Sequence, residues 1–189
     1  MNTCAVDVWT ISLDVPRRVI LSPEERDRAA RFRFERDRIH WTHARSALRL
    51  ILGKYLGITP AEIQFTLGQH GKPAVAGIEF NLSHSSGWAM IAVSRHAPVG
   101  VDLEKIREDL DIGKLLHRIG EPGLGGTTDA LWHEWTRREA RTKATGSSLM
   151  DLPPCDLRVI DLIAPAGFVA SLALRACEPS VNYVELLAD

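Results

Sequence analysis

The chain has 189 residues, of which 45% are apolar and 25% are charged, and its formal net charge is −1. These values are typical of a soluble globular protein with one or two modest hydrophobic cores. The near balance of charges excludes a global field that would attract nucleic acid or a membrane surface.

The spacing of the cysteines and the lack of a targeting signal both bear on the cellular location of the protein. The N-terminus lacks a signal-peptide pattern, and no apolar run approaches the length of a membrane span. Cys4, Cys155 and Cys177 are far apart and lack metal-ligand spacing. We therefore expect reduced thiols in a cytoplasmic protein that has neither a membrane nor a nucleic-acid partner.

Two helices follow a first strand in the N-terminal part. Ser22 and Glu25 form a capping-box pattern, with Pro23 at the first helical position. Apolar spacing then predicts a longer helix, which Gly57 ends. In chain order, the pattern predicts a strand over 5–13, helices over 22–35 and 38–56, a helical turn from Thr59 and a strand over 63–67.

The C-terminal part combines short apolar runs with one strong helix. Leu131, Trp135 and Ala140 are compatible with one buried stripe of this helix, and Gly146 ends it. The pattern predicts a strand in the apolar run 88–93, helices over 112–119 and 130–145, strands over 157–163 and 167–176, and a last strand around 181–187.

Two acids close the stretch that begins at Gly71 and ends at Glu104. Asp102 and Glu104 are two residues apart, so an extended backbone directs both carboxylates to the same face. Adjacent carboxylates repel each other unless a cation or a proton lies between them, and hard oxygen ligands suit magnesium or manganese. The alternative is a solvated strand end that carries two surface acids.

A third acid lies on the strong helix. Trp135, Glu139 and Lys143 follow one another at intervals of four residues, so they share one face. Glu139 can therefore direct a carboxylate to the place where Lys143 directs a positive charge. The alternative is a surface ion pair between these two residues, which would stabilise the helix by roughly 0.2–0.5 kcal/mol.

Two further segments suit phosphate groups. In Ser83-His84-Ser85, neighbouring side chains of a strand diverge, which disfavours a Ser–His nucleophile and favours a phosphate-binding turn. Arginines are concentrated between positions 26 and 38. They form either a solvated helix face or a set of donors for a polyphosphate ligand.

The chain also contains a weak internal sequence repeat. Trp41-Thr42 and Trp135-Thr136 are each followed by charged residues at plus four and plus eight. Gly87-Trp88 and Gly167-Phe168 each open a strand that carries an arginine at the same offset. Because the two matches occur in the same order, we predict two related halves that meet near residue 97, with a ligand cleft between them.

Four motifs follow one another in a characteristic order. They are Gly71-Lys72-Pro73, Phe80-Asn81-Leu82-Ser83-His84-Ser85, Val99-Gly100-Val101-Asp102-Leu103-Glu104, and a helix motif that runs from Trp135-Thr136 through Glu139-Ala140 and Lys143 to Gly146. In this order they resemble the phosphopantetheinyl transferases of the surfactin-synthetase-activating type. The resemblance runs from about Ser22 to Leu149 and includes residues 167–173, which are similar to the family's late strand.

The resemblance implies an activity and a fold. The activity is magnesium-dependent, with manganese as a possible substitute, and is of the holo-[acyl-carrier-protein] synthase type. It transfers the 4′-phosphopantetheine arm of coenzyme A to a serine of an acyl- or peptidyl-carrier protein and releases adenosine 3′,5′-bisphosphate. Such carriers serve fatty acid, polyketide or nonribosomal peptide synthesis. The implied fold is α+β, with two pseudo-symmetric α/β halves in a monomer, each a small antiparallel-rich sheet with packed helices. Residues 1–97 would bind coenzyme A, residues 98–189 would hold the metal ligands and the catalytic helix, and the active site would lie at the interface.

The resemblance also implies roles for individual residues. Asp102, Glu104 and Glu139 resemble the magnesium ligands, and Glu139, Lys143 and Asp102 the catalytic group. Glu139 is the candidate base for the serine hydroxyl. The residues that resemble contacts to coenzyme A are Lys143 on the pyrophosphate, Ser83 and His84 on the phosphates, Lys72 and Pro73 beside the adenine, and Arg28, with Arg33 as a second cation, on the ribose 3′-phosphate.

Two departures from the family pattern and two other functions have to be considered. Arg138 stands where the family usually has lysine, and the segment 105–130 is short. The alternative functions are a magnesium-dependent phosphohydrolase that acts on another nucleotide and a non-catalytic coenzyme A-binding protein. Whether Glu139 or a metal-bound water takes the serine proton, and which carrier is served, stays open.

Overall fold

A computed structural model describes residues 3–68, 71–120, 126–149, 151, 156–175 and 177–186. Its elements, in chain order, are β1 (Thr3–Ser12), α1 (Pro23–Ala30), α2 (Glu35–Leu56), a 3₁₀ turn (Pro60–Glu62), β2 (Thr66–Leu67), β3 (Pro73–Ala74), β4 (Glu79–Ser85), β5 (Trp88–Ser94), β6 (Val99–Lys105), α3 (Ile112–Arg118), α4 (Thr128–Thr145), β7 (Leu157–Asp161), β8 (Phe168–Arg175) and β9 (Glu178–Glu185).

The predicted boundary between the first two helices was wrong. α1 ends at Ala30, and Phe34 is extended and serves as the N-cap of α2, so α2 begins three residues earlier than the predicted position 38. The capping box of α1 is confirmed, because Ser22 accepts from the Glu25 N–H while the Glu25 carboxylate accepts from the Ser22 N–H. Helix propensity does not separate the two helices, since arginine favours the helical state throughout this segment.

Each half has the same connectivity. In the first half, β1 pairs antiparallel with β5, which also pairs with β4. In the second half, β6 pairs antiparallel with β8, which also pairs with β7. A long helix, α2 or α4, precedes each hairpin. The prediction of an α+β fold with two similar halves is therefore confirmed.

The first sheet gains a strand from the end of the chain. β9 pairs parallel with the outer edge of β1, which gives the order β4-β5-β1-β9, whereas the second sheet has the order β6-β8-β7. The division at residue 97 stays a prediction, and one strand that it assigns to the second half lies in the first sheet.

The pairing of β1 with β9 corrects the prediction for two cysteines. Cys4 of β1 and Cys177, which precedes β9, form a disulfide with a Cα–Cα distance of 5.9 Å, although 173 residues separate them in the chain. Sequence spacing could not show this contact, because it depends on a parallel strand pair that closes across the whole chain. Cys155 lies outside the described residues. The cytoplasmic location stays a prediction.

The two halves pack closely around β6. Its apolar residues join residues of β1, β5 and β8 in one buried cluster, whereas α2 covers a second cluster over the first sheet. α4 lies directly on β6, where a Cβ at Gly100 would be only 2.1 Å from the Ala140 carbonyl oxygen. Only glycine permits this approach, which brings the α4 side chains to the acids of β6. In the described part of the chain, no helix is long and apolar enough to span a bilayer.

Candidate active site

Asp102 lies at the contact between the two halves. It is 2% exposed, and its Oδ1 accepts hydrogen bonds from Ser83 Oγ at 2.9 Å and from Lys143 Nζ at 2.6 Å. Its Oδ2 is buried and has no hydrogen-bond partner among the described residues. A buried carboxylate oxygen without a donor is costly, so Asp102 has an unused ligand position.

Glu104 and Glu139 both interact electrostatically with Asp102. Burial and then the charge of Asp102 raise the pKa of Glu104, although a hydrogen bond of 2.9 Å from Ser85 Oγ opposes that rise. Burial is also the main cause that raises the pKa of Glu139, with smaller contributions from Asp102 and Glu104. The structure therefore brings the three predicted carboxylates into one electrostatically coupled group.

The carboxylates are not arranged as a closed metal cage. Among the described residues, no group of three or more His, Cys, Asp or Glu side chains is placed so that it could hold a metal ion. The Lys143 ammonium forms its ion pair with Asp102, at the centre of the group. Hence Lys143 is not merely the cation of a surface pair with Glu139, which was the alternative from sequence.

A cavity of about 800 Å³ opens on the other side of β4. Among the described residues, the first half supplies the lining, from α1 and its N-cap, α2, the segment 61–67, the start of β3 with the residues before it, and β4. Arg28, Pro73 and His84 are the predicted coenzyme A contacts that line it. Partial burial of the imidazole and then the nearby charge of Lys143 lower the pKa of His84, so the cavity and the carboxylate group are electrostatic neighbours.

Arg28 differs from the other arginines of the cavity. Its guanidinium stacks 5.4 Å from the centre of the Trp41 ring, and no described carboxylate lies within ion-pair distance. Arg45 and Arg49, in contrast, both bond the buried carboxylate of Glu25. Arg28 is therefore a cation that the described residues leave available to an anionic ligand.

Comparison with known proteins agrees with this geometry. The family of the 4′-phosphopantetheinyl transferase N-terminal domain matches residues 14–96. The chain is 35% identical over 173 residues to the 4′-phosphopantetheinyl transferase HetI of a Nostoc species, which covers 80% of this chain and 73% of that protein. The chain belongs to the 4′-phosphopantetheinyl transferase family.

Two further relatives of this transferase come from Bacillus subtilis and Salmonella typhimurium. A 4′-phosphopantetheinyl transferase of Bacillus subtilis is 30% identical over 139 residues, which cover 68% of this chain and 62% of the relative. The 4′-phosphopantetheinyl transferase AcpT of Salmonella typhimurium is 28% identical over 145 residues, which cover 70% and 74%. The protein is accordingly a transferase enzyme.

Four predicted ligand contacts of this transferase do not line the cavity, and one of them, Lys143, is paired with Asp102. Arg33 lies over the ring of Phe34 at 5.3 Å. Lys72 Nζ donates to the carbonyl oxygens of Val99 at 3.0 Å and Lys143 at 2.7 Å, and burial lowers the pKa of Lys72. Ser83 uses its one hydroxyl proton on Asp102. Lys72 thus joins the halves, and Ser83 lies inside strand β4 rather than in the predicted phosphate-binding turn.

Sequence reasoning missed two groups of contacts. Arg49 bonds Glu25 at 2.7 Å and also donates to the carbonyl oxygens of Pro60 and Ile63, so it holds the cavity wall together. The plus-four spacing of Arg45 and Arg49 was visible, but their common partner was not. Arg138, which replaces the usual lysine, is buried and donates to backbone carbonyls at 149 and 151, so it anchors the loop after α4.

Proposed function

We propose that this transferase moves the 4′-phosphopantetheine arm of coenzyme A to a serine of an acyl- or peptidyl-carrier protein in a magnesium-dependent reaction. One observation carries the proposal: a large cavity that holds the available cation Arg28 shares strand β4 with the coupled carboxylates and Lys143. Coenzyme A carries a 3′-phosphate and a pyrophosphate. The cavity with Arg28 suits the 3′-phosphate, and the carboxylates with Lys143 suit the pyrophosphate, where charge develops during transfer.

The described carboxylates are not placed as a ready-made metal site, but their chemistry suits a divalent cation. Asp102 Oδ2 lacks a donor, and the pKa values of Glu104 and Glu139 are raised by burial in a group of like charges. A hard cation between these oxygens would remove both costs, and magnesium or manganese suits such ligands. When bound, the cation supplies charge neutralisation for the pyrophosphate. Asp102, Glu104 and Glu139 would hold it.

The chain's own groups account for the remaining steps. Arg28 binds the ribose 3′-phosphate, Pro73 lies beside the adenine, and His84 and Lys143 contact the pyrophosphate. The serine oxygen of the carrier forms a bond to the β-phosphorus as the bond to adenosine 3′,5′-bisphosphate breaks. Glu139 takes the serine proton, because a positioned carboxylate can act as a general base.

Mass spectrometry of carrier proteins tests the proposal. Apo acyl-carrier and peptidyl-carrier proteins are incubated with the enzyme, coenzyme A and Mg²⁺, and the expected result is the added mass of one phosphopantetheine group. A carrier with its acceptor serine replaced by alanine, and a reaction with excess chelator, should both stay unmodified.

The same assay distinguishes the alternatives. A nucleotide phosphohydrolase would leave every carrier unmodified and release inorganic phosphate when a nucleoside triphosphate is added, whereas a coenzyme A-binding protein would bind without turnover. The panel of carriers also shows which class is served. Light scattering of the purified protein tests the accompanying proposal that the enzyme acts as a monomer, which the supply of all the proposed groups by one chain supports.

A further inference from the structure

The edge of β6 that faces the first half has no strand partner. In an antiparallel pair, alternate residues direct their N–H groups away from the partner strand. β8 occupies one edge of β6, and within the described residues no strand pairs with the other edge. The outward N–H groups of Val101, Leu103 and Lys105 therefore require other acceptors.

β4 supplies those acceptors from side chains rather than from its backbone. Alternate side chains of β4 lie on one face and have the same two-residue spacing as the outward N–H groups of β6. Each of these side chains lies 20 residues before the N–H group that it contacts, so the two strands run parallel and in register. Asn81 Oδ1 accepts from the Val101 N–H at 2.9 Å, Ser83 Oγ from the Leu103 N–H at 3.3 Å and Ser85 Oγ from the Lys105 N–H at 3.2 Å. We call these three side chains, Asn81, Ser83 and Ser85, the β4 ladder.

The two serines of the β4 ladder make a second kind of bond. Ser83 Oγ donates to Asp102 Oδ1, and Ser85 Oγ donates to Glu104 Oε2, each at 2.9 Å. A serine hydroxyl has one proton, so each serine commits its only donor to a carboxylate while its lone pair accepts from the β6 backbone. Asn81 belongs to the same ladder but contacts no carboxylate in the described part of the chain.

We propose that Ser83 and Ser85 are positioning residues, which fix the orientation of two metal-binding carboxylates and make that orientation depend on the docking of the two halves. This inference rests on the proposed function. Because a backbone N–H of β6 anchors each hydroxyl, neither serine can turn away from its carboxylate without losing that bond. Each serine holds one carboxylate oxygen and leaves the other to a cation, and the unpartnered Oδ2 of Asp102 agrees with this arrangement.

Ser85 gives the sharper test, because Ser83 also contacts Lys143 at 3.1 Å. Mn²⁺ binding to the full-length protein is measured by electron paramagnetic resonance, with and without coenzyme A, beside a thermal melt. We expect Ser85→Ala to raise the Mn²⁺ dissociation constant about tenfold, since removal of a group that orients a metal ligand typically has this effect. Ser85→Thr keeps a hydroxyl and should restore the wild-type constant.

Asn81→Ala is the matched control for the loss of one contact between the halves. It removes a bond to β6 but touches no carboxylate, so it should lower Tm and leave the Mn²⁺ constant unchanged. A role of Ser85 in stability alone predicts that Ser85→Ala behaves in the same way as Asn81→Ala.

Two results would overturn the inference, and they differ from each other. Normal Mn²⁺ affinity of Ser85→Ala, in protein that melts cooperatively, overturns the positioning role and leaves the proposed function intact. Absence of Mn²⁺ binding by the wild type, or binding that Asp102→Asn does not weaken, overturns the metal assignment and the positioning role together. If Ser85→Ala does not fold, Ser85→Cys, which has similar volume but is a weak donor, carries the same expectation.

Discussion

Asp102 of β6 and Trp9 of β1 have the same place in their respective sheets. Trp9 pairs with Ile91 of β5, four positions after Gly87. Asp102 pairs with Ser171 of β8, four positions after Gly167. Trp9 is part of the hydrophobic core under α2, whereas Asp102 bonds a serine and a lysine under α4. One scaffold therefore uses the same position for packing in one half and for a charged group in the other.

The long helices differ in the same way. At plus four and plus eight from the tryptophan, α2 has Arg45 and Arg49, which neutralise Glu25 in the cavity wall. α4 has Glu139 and Lys143, which act on Asp102. The first half thus shapes a ligand cavity, and the second half directs its charges to the contact between the halves.

The difference has a cause in the sheets. β9 covers the outer edge of β1, so the first sheet needs no acceptors from the other half at that edge. The second sheet has no equivalent strand among the described residues, and the open edge of β6 is satisfied by β4 instead. The open edge of β6 therefore brings the polar side chains of β4 to Asp102, whereas the position of Trp9 in the first sheet is used for packing.

Removal of the Asp102 charge is the strongest test of this comparison. Asp102→Asn keeps the shape and one acceptor for Ser83, so the fold should persist, while transfer to a carrier protein should fall on the order of a thousandfold through lost charge stabilisation. Steady-state kinetics at saturating Mg²⁺ measures the effect. Asp161→Asn, which removes an acid of the same sheet that is bonded to Arg137, should keep normal turnover. Near-normal turnover of Asp102→Asn would contradict the metal assignment.

Lys143 and Arg49 occupy equivalent helix positions, but we expect replacement of Lys143 to affect turnover and replacement of Arg49 to affect stability. Lys143→Ala should lower kcat about a hundredfold and affect coenzyme A binding less, because its charge stabilises the leaving bisphosphate. Arg49→Ala leaves the carboxylate of Glu25 buried without a main partner and should lower Tm by roughly 10 °C. Kinetics and thermal melts on both variants measure the contrast. Equal kinetic losses without a difference in Tm would show that the two helices do not have separate roles.

Arg28 tests the ligand side of the comparison. Arg28→Ala should lower kcat/KM for coenzyme A about tenfold, the factor that corresponds to the loss of about 1.4 kcal/mol from a charge-assisted hydrogen bond. With 3′-dephospho-coenzyme A the variant should lose little more, because the phosphate partner is already missing. Arg26→Ala, on the same helix but outside the cavity, is the control. Equal losses on both ligands would place Arg28 elsewhere than on the 3′-phosphate.

Glu139 should show the smallest effect, on stability without metal. A raised pKa means that the ionised carboxylate is unfavourable in the folded state, and this cost is present above that pKa. Glu139→Gln should therefore raise Tm at neutral pH.

The stability difference should shrink as the pH falls below the raised pKa and vanish below the ordinary pKa of a glutamate, because the carboxyl is then neutral in both the folded and the unfolded chain. Thermal melts in chelator over a pH series measure it. Glu134→Gln, which removes a carboxylate paired with Arg137 on the same helix, should not raise Tm at any pH.

Local patterns predicted much of the fold and part of the site. The spacing of Asp102 and Glu104 placed both on β6, and the helix that ends at Gly146 was found to within two residues at its start. These features depend on backbone period and capping, which the sequence states directly. The position of α1 relative to α2 was not predictable, because Phe34 is the N-cap of α2 but makes no side-chain cap hydrogen bond that its residue type would signal.

The contacts between elements could not be predicted from spacing. The serines of β4 looked like phosphate ligands because a hydroxyl suits both a phosphate and a carboxylate, and only the docking of β4 against β6 shows which one it meets. Similarly, Glu25 looked like a capping residue alone, although it also neutralises two arginines of α2.

The parallel pairing of β1 with β9 has a consequence for how the protein is made. The disulfide-linked cysteines of this region are 173 residues apart, so the first sheet cannot be completed until the segment that forms β9 has left the ribosome. Until then β1 has a free edge, which is a template for association with other chains. Contacts of such long separation also form slowly. The segment that forms β9 therefore protects the edge of the first strand.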